Sequence, residues 1–502
     1  MGKIRGLHTS PGIYTKPWFD GKKTDTRNNR KGTLPKKGLP GGGSGGGSEK
    51  FNGIKFTALS GDTIIGLARR SANQIVLEYS LDNENWSGLT TDNIVTLDNA
   101  GDEVFVRGVL SGNNSSQEYT NFIIRGYASV AGDTNYLWNY EDLEQPLSKQ
   151  CGYNLFSNCT GLVDVSKLVL GTSSTRLAES CYAYMFSYCT SLTTVPQNLL
   201  PATNLSGASY CYSYMFYGCK KLTTAPKLPA TTLANDCYEG MFRNCTNLTT
   251  VHTLPVATLA RSCYSYMFNG CSSLKTVPYN MLPTTNLSGA SNCYTYMFAG
   301  CTSLETAPEL PATTLANSCY DTMFSGCTNL ITVPEKLPAT TLVSGCYNSM
   351  FKGCNKLRKA PELPATKLAN FCYMNMFSGC TSLMTVQEIL PATSLTSYCY
   401  SSMFASCTSL ETAPELPATA LTSYCYSNMF YNCSSLVYIK CLAIRFINTD
   451  GSTDSWLAGS VPSGQAAQEN GCTFVYHPNA NWGTSTVNKI PDGWDRQPAV
   501  VE

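Results

Sequence analysis

No stretch of this 502-residue chain approaches the run of about 18 apolar residues that a bilayer-spanning helix requires, so no membrane insertion is expected. Histidine is scarce, with only His8, His252 and His477, and no C-x2-C occurs, which argues against zinc. A phosphate-binding Walker loop, a nucleophile elbow, HExxH and the dinucleotide fingerprint are all missing. His252 stands where other units carry proline and reads as an exposed substitution rather than a catalytic base. Paired carboxylates for glycoside hydrolysis would need a cleft holding them about 5–9.5 Å apart. Glu305, Glu309, Glu411 and Glu415 instead fall on outward positions of a repeated segment. No enzyme and no cofactor are expected. The opening MGKIRGLHTSPGIYTKPWFD has no apolar core and no cleavage site, so it is not expected to act as a secretory signal.

Charge is also sparse, at 14% Asp, Glu, Lys and Arg, and the overall +1 hides a split. Residues 1–40 hold ten Lys or Arg against Asp20 and Asp25, a net +8, which leaves about −7 for the rest.

What is abundant is a spacing. Of 24 cysteines, 22 form eleven pairs eight residues apart, beginning at Cys151, Cys181, Cys211, Cys237, Cys263, Cys293, Cys319, Cys346, Cys372, Cys399 and Cys425. Successive starts lie 26 to 30 residues apart, a period that marks a solenoid and overrides a division into three ordinary domains. Disulfides within a pair are disfavoured if the segment is helical. Eight helical residues span about 12 Å, against the roughly 4.4–6.8 Å between bridged Cα atoms. Disulfides between units stay open. Packing is the preferred reading: Cys263, Met267 and Cys271 share one helical face with Phe268 beside them, and buried free cysteine behaves as a small hydrophobe.

In one unit, CYDTMFSGCTNLITVPEKLPATTL, the CYDTMFSGC stretch reads as a two-turn helix closed by glycine. Leu330, Val333, Leu337 and Leu342 then face inward, and Pro334 and Pro338 limit a short strand. Eleven such units are expected to stack, one strand each, into a parallel sheet that needs a cap at both ends.

Binding would reside where the units differ. The residue after the strand leucine is Thr223, Thr249, Lys275, Glu305, Ile331, Arg358, Met384 and Glu411 in turn. A second row holds Tyr184, Tyr214, Tyr266 and Tyr296, each three places after a first cysteine, and an exposed tyrosine stripe would suit sugar rings. The plainer and preferred reading is that these tyrosines cover the surface and contact no ligand. From Lys275, Glu305, Arg358 and Glu411 together with the four tyrosines we take a candidate ligand-binding set.

Ahead of the repeats, KFTAL, QIVLEYS, NIVTL, EVFVRGV and FIIRGY alternate apolar and polar residues between turns, as in a β-sandwich. Before them, GGGSGGGS is a flexible linker. The basic arm carries only Ile4, Leu7, Pro11, Ile13, Tyr14, Trp18 and Phe19 as apolar anchors and should order on a partner. Protein docking is favoured over a nucleic-acid tail, because aromatic residues interrupt the charges. The organisation is therefore an arm (1–40), a linker (41–50), a β-sandwich-like domain and N-terminal cap (51–147), a solenoid (148–436) and a C-terminal cap (437–502).

MFSGCTNLITVPEKLPATTL and MFAGCTSLETAPELPATTL resemble the BspA-type leucine-rich repeats of Bacteroides-like surface proteins. FVYHPNANWGTSTVNKIPDGW is similar to that family's C-terminal closure, and LEYSLDNENW, LDNAGDEVFVRGVLSG and FIIRGYASVAG to the β-domain that precedes such arrays. The likeness covers about residues 51–496. It implies an α/β solenoid of about eleven leucine-rich repeats that binds matrix, cells or glycans without catalysis. SPGIYTKPWFD weakly resembles the openings of phage virion proteins. Together these lead to the expectation of a virion structural protein, present in multiple copies. Its arm would dock on other virion proteins and its repeats would recognise a bacterial surface glycan or protein. A bacterial cell-surface adhesin is the alternative.

Overall fold

The fold of the repeats is decided by a four-residue rhythm. In residues 178–189, Cys181 N–H donates to Ala178 O, Met185 N–H to Tyr182 O and Cys189 N–H to Phe186 O, closing three consecutive turns. The third residue of each, Ser180, Tyr184 and Tyr188, has φ of 55°, 58° and 58°, as turns of type II require. The intervening amides reach the next unit: Tyr182 N–H to Cys211 O, Tyr184 N–H to Ser213 O and Phe186 N–H to Met215 O, each 2.9 Å. From Ser180 to Cys189 every backbone donor is therefore satisfied, half locally and half across the repeat. The last residue of one turn and the first of the next point inward, which buries Cys181–Tyr182, Met185–Phe186 and Cys189.

This corrects the expected two-turn helix. A right-handed helix cannot hold a positive φ at every fourth residue, and stacked copies offer the amides partners that an isolated helix would have to find within itself. The cysteine spacing of eight is two turns of this ribbon. The chain is a largely β-type leucine-rich solenoid rather than an α/β one.

The computed structural model describes residues 52–69, 76–110, 120–144, 146–171, 177–447, 450–482 and 490–500. All of them belong to the compact unit Lys50–Glu502. The proposed docking residues Ile4, Leu7, Pro11, Ile13, Tyr14, Trp18 and Phe19 lie outside the described residues.

Stacking turns each inward position into a ladder. Phe186, Phe216, Phe242 and Phe268 follow one another with ring centroids 5.5–5.6 Å apart and planes within 7°. Tyr212, Tyr238 and Tyr264 form a second, fully buried column at 5.6–5.7 Å. All 24 cysteines are buried and none is in a disulfide. The second of each pair donates its thiol to the phenylalanine carbonyl of the preceding unit, as Cys219 does to Phe186 O at 3.1 Å. Burial pushes the Cys263 thiol up to about 12, which keeps that sulfur protonated in the fold.

Each unit also carries a short ladder segment. Parallel bridges join Thr224 to Thr250, Thr306 to Thr332, Lys359 to Thr385 and Thr412 to Tyr438. The leucine at the same place in each unit (Leu222, Leu248, Leu274, Leu304, Leu330, Leu357, Leu383 and Leu410) is fully buried.

At the N-terminal end, among the described residues, nine strands and a short helix precede or open the array. They are β1 (Ile54–Ala58), β2 (Thr63–Arg69), β3 (Val76–Ser80), β4 (Ser87–Leu89), β5 (Val95–Leu97), β6 (Glu103–Val109), β7 (Thr120–Arg125), β8 (Ala128–Asp133), α1 (Asn135–Asn139) and β9 (Leu162–Val169). One sheet runs β4-β3-β6-β1-β8-β9 and another β5-β2-β7. Their core continues that of the repeats: Phe56 contacts Phe122 at 5.0 Å, and Phe122 stacks on Phe156 at 5.2 Å, the first ring of the phenylalanine ladder. Trp138 of α1 lies against Tyr182, at the start of the tyrosine column.

At the other end, β10 (Tyr438–Cys441), α2 (Gln465–Glu469), β11 (Thr473–Tyr476) and β12 (Asp495–Pro498) enclose Trp456. Trp456 meets Phe430 at 6.4 Å and stacks on Trp482 at 5.1 Å. Each open end of the ladder is thus covered by aromatic rings.

Candidate functional site

The variable row after the ladder leucines lies along one line. Ile331 N–H donates to Glu305 O at 2.9 Å and Met384 N–H to Arg358 O at 3.0 Å, so the members of each of these pairs are lateral neighbours one unit apart. Thr223, Thr249, Lys275, Arg358 and Glu411 are exposed, as are Ile331 and Met384, while Glu305 is half-buried. Lys275 and Glu305 pair across adjacent units at 3.2 Å, a surface contact of little energetic weight. His252 lies elsewhere and exchanges a 2.9 Å hydrogen bond with Gln197.

The tyrosines do not form a continuous exposed stripe. Tyr184 stacks on Tyr214 at 5.1 Å with planes 9° apart, and Tyr266 on Tyr296 at 4.7 Å and 7°. All four are half-buried, and between the pairs the equivalent position is Gly240. A Cβ there would sit 2.3 Å from the Tyr214 ring, so the glycine is what lets that ring lie over the backbone. Because the rings cover one another's faces, their edges and hydroxyls, rather than a row of open faces, are what they offer.

The interruption is where charge collects. The unit over residues 237–245, CYEGMFRNC, puts Glu239 and Arg243 where its neighbours carry Ser, Asn or Tyr. Tyr214 Oη donates to Glu239 Oε1 at 3.2 Å. The guanidinium of Arg243 lies 5.1 Å from the Tyr266 ring centroid and 5.9 Å from that of Tyr217. Its Nε is buried and has no hydrogen-bond partner among the described residues. Beside it, Arg261 is committed to the buried Asp236 at 2.7 Å.

Burial, reinforced by the charge of Asp236, pushes the Glu239 carboxyl up to about 7. Tyr214, Arg261 and Arg243 pull the other way. Burial also raises the Tyr184, Tyr188, Tyr214 and Tyr266 phenols, and the Arg243 charge opposes that rise in each. Arg243, Glu239, Asp236 and Arg261 were not singled out from the sequence. Two outward charges within one CYxxMFxxC unit were a visible signal, but only a known fold makes those positions outward.

Residues 149–305, 260–383 and 348–449 match the BspA type Leucine rich repeat region, in six copies. No curated protein matches the chain. Among solved structures, a leucine rich cell surface protein from Faecalibacterium prausnitzii is similar at 17% identity and a TM-score of 0.25, over 59% of this chain and 69% of that one. These findings overturn the expectation of a phage virion component at a virion surface. What matches over residues 149–449 is the BspA type Leucine rich repeat region, not a phage part. The residues that suggested virion docking lie outside the described structure. The repeat architecture is a non-catalytic scaffold suited to binding protein or glycan, and among the described residues no helix is long and apolar enough to cross a membrane. With matches spanning residues 149–449, the chain belongs to the BspA-type leucine-rich-repeat family.

Proposed function

We propose that this protein is a non-enzymatic bacterial cell-surface adhesin whose repeat array recognises a glycan or protein by many weak contacts along one rigid line. About eleven units over residues 148–436 form the array. Residues 51–147, folded as a β-sandwich-like domain, close its first edge, and residues 437–502 close its last. The basic arm, residues 1–40, and the linker to residue 50 join the array to whatever holds it.

The observation that carries this reading is the variable row. Lys275, Glu305, Ile331, Arg358, Met384 and Glu411 change chemistry from unit to unit, while the leucine before each of them stays fully buried. Repetition at fixed spacing multiplies modest affinities, because each later contact is intramolecular. Lys275, Arg358 and Glu411 supply polar anchors, and Ile331 and Met384 an apolar patch between them. The tyrosines Tyr184, Tyr214, Tyr266 and Tyr296 add hydroxyls along the ribbon.

The test is binding of the labelled full chain to a panel of bacterial and animal-cell surfaces. A variant with Lys275, Ile331, Arg358 and Met384 all changed to Ser serves as the comparison. Surface-selective binding that falls at least about ten-fold in the variant, with unchanged melting, supports the row as the contact. Equal binding by the variant removes the row from the account, and an absence of binding to every surface removes the adhesin reading.

A further inference from the structure

Three observations converge on the break in the tyrosine row. First, the backbone there does not ask for tyrosine. The αL position occupied by Tyr184, Tyr214, Tyr266 and Tyr296 is filled by Gly240, Asn375, Ser402 and Asn428 in other units with the same hydrogen bonds. A bulky residue at positive φ costs about 1 kcal/mol or more relative to glycine, which mutual stacking of about 0.5–1.5 kcal/mol only roughly offsets. The tyrosines are therefore retained at a site the fold would fill more easily with Gly, Asn or Ser.

Second, Arg243 is half-buried with its Nε unpartnered, although carboxylates lie in the neighbourhood. Asp236 is taken by Arg261 and Glu239 by Tyr214. The tyrosine rings compensate part of the cost of holding this cation, but among the described residues its buried Nε has no acceptor. The planar donors of a guanidinium match one carboxylate in bidentate geometry. Third, the rings alongside present hydroxyls, which pair with the hydroxyls of a saccharide.

We propose that Arg243, with the tyrosine edges and hydroxyls on either side of Gly240, forms a subsite for a carboxylate-bearing sugar. This rests on the reading of the array as a binding scaffold and names the ligand chemistry at one place on it. A single guanidinium calls for a single negative charge. An acidic peptide would bring several, and Asp236 and Glu239 would repel the others. The charged and titratable groups facing Glu239 are Asp236, Arg243, Arg261 and Tyr214, with Tyr184 and Tyr266 also within its field. With Glu239 protonated the subsite is net positive. Once it ionises, it opposes an incoming carboxylate, so binding weakens as pH rises through about 7.

The experiment uses the full chain against two immobilised sets, oligosaccharides ending in glucuronate and oligosaccharides ending in a nine-carbon sialic acid. Each is paired with its methyl ester, in which the charge is removed and the sugar kept. At pH 6 one acid form should bind at least about ten-fold better than its ester, and the set that does so identifies the source of the carboxylate. R243Q should abolish the preference and R243K should retain part of it. E239Q should carry the pH 6 affinity unchanged to pH 8. Equal binding of acid and ester, or an undiminished preference in R243Q, overturns the subsite. If the chain then still binds neutral glycans or cell surfaces through its variable row, the scaffold reading survives. If it binds nothing, both fail. Should R243Q not fold, the acid–ester comparison on the unaltered chain and the R243K variant decide the matter.

Discussion

The units over residues 237–245 and 263–271, CYEGMFRNC and CYSYMFNGC, are identical inward and different at every outward place. Their backbones are nonetheless bonded alike. Tyr238 N–H reaches Cys263 O and Tyr264 N–H reaches Cys293 O, both at 3.0 Å, while Phe242 and Phe268 each reach the next methionine carbonyl at 2.9 Å. A change of four outward residues, including two charges, leaves the ribbon unmoved. Stability is set by the inward Cys-Tyr-Met-Phe-Cys pattern, and the outward residues are left free for other work.

The strongest way to test that comparison is to remove the shared ring. Phe242→Ala and Phe268→Ala should each cost about 3–5 kcal/mol, since each deletes a fully stacked core side chain with a ring on both sides. The two losses should agree within about 1 kcal/mol in urea titrations. A large difference would mean that the outward residues do contribute to the fold. Unfolding in a stack of this kind is a sum over neighbouring units, so the m-value must be followed alongside the midpoint.

A smaller effect separates the units at their last αL position, Asn244 in one and Gly270 in the other, with φ of 59° and 74°. Gly270→Ala should cost about 1–2 kcal/mol, because a Cβ would meet Asn244 Oδ1 at 2.3 Å in addition to the unfavourable φ. Asn244→Ala should cost only about 0.5–1 kcal/mol, as asparagine already carries a Cβ there. Equal losses would show that backbone conformation, not the contact, sets the cost.

A third comparison is a slope with pH. The folded Glu239 carboxyl stands at about 7 against its usual 4.5, so between those values the native chain holds a proton that the unfolded chain has released. Stability should therefore fall as pH rises from about 4.5 to 7 and be flat above that. Glu239→Gln, which mimics the neutral acid, should remove that part of the slope in melting curves taken across the window. A slope that persists unchanged would place its origin elsewhere, with Asp236 the next group to examine, since burial raises it too while Arg261 opposes.

Much of this was legible in the residues. The period, the inward places of Leu330 and Leu342, the burial of paired cysteines and the kinship of MFSGCTNLITVPEKLPATTL followed from spacing and pattern. The helix did not survive, because Cys, Met and Cys at i, i+4 and i+8 share a face in a helix and equally in a ribbon of four-residue turns. The discriminating signal was present: Gly218, Asn244, Gly270, Gly300 and Gly326 recur at one place where φ is positive. Read as helix termini, they pointed the wrong way. The site was less legible still. Tyr184, Tyr214, Tyr266 and Tyr296 were recognised as a row, but not that Gly240 divides it or that Arg243 lies over Tyr266.

The sequence by itself therefore determined the repeat, its family and which side chains form the core, because burial leaves a periodic mark on residue type. Only the tertiary structure decided how the backbone is bonded and which outward residues meet. Those contacts join residues 25 to 30 positions apart, as Tyr214 to Glu239 and Arg243 to Tyr217. Their geometry follows from how one coil is laid on the next, which no local pattern records.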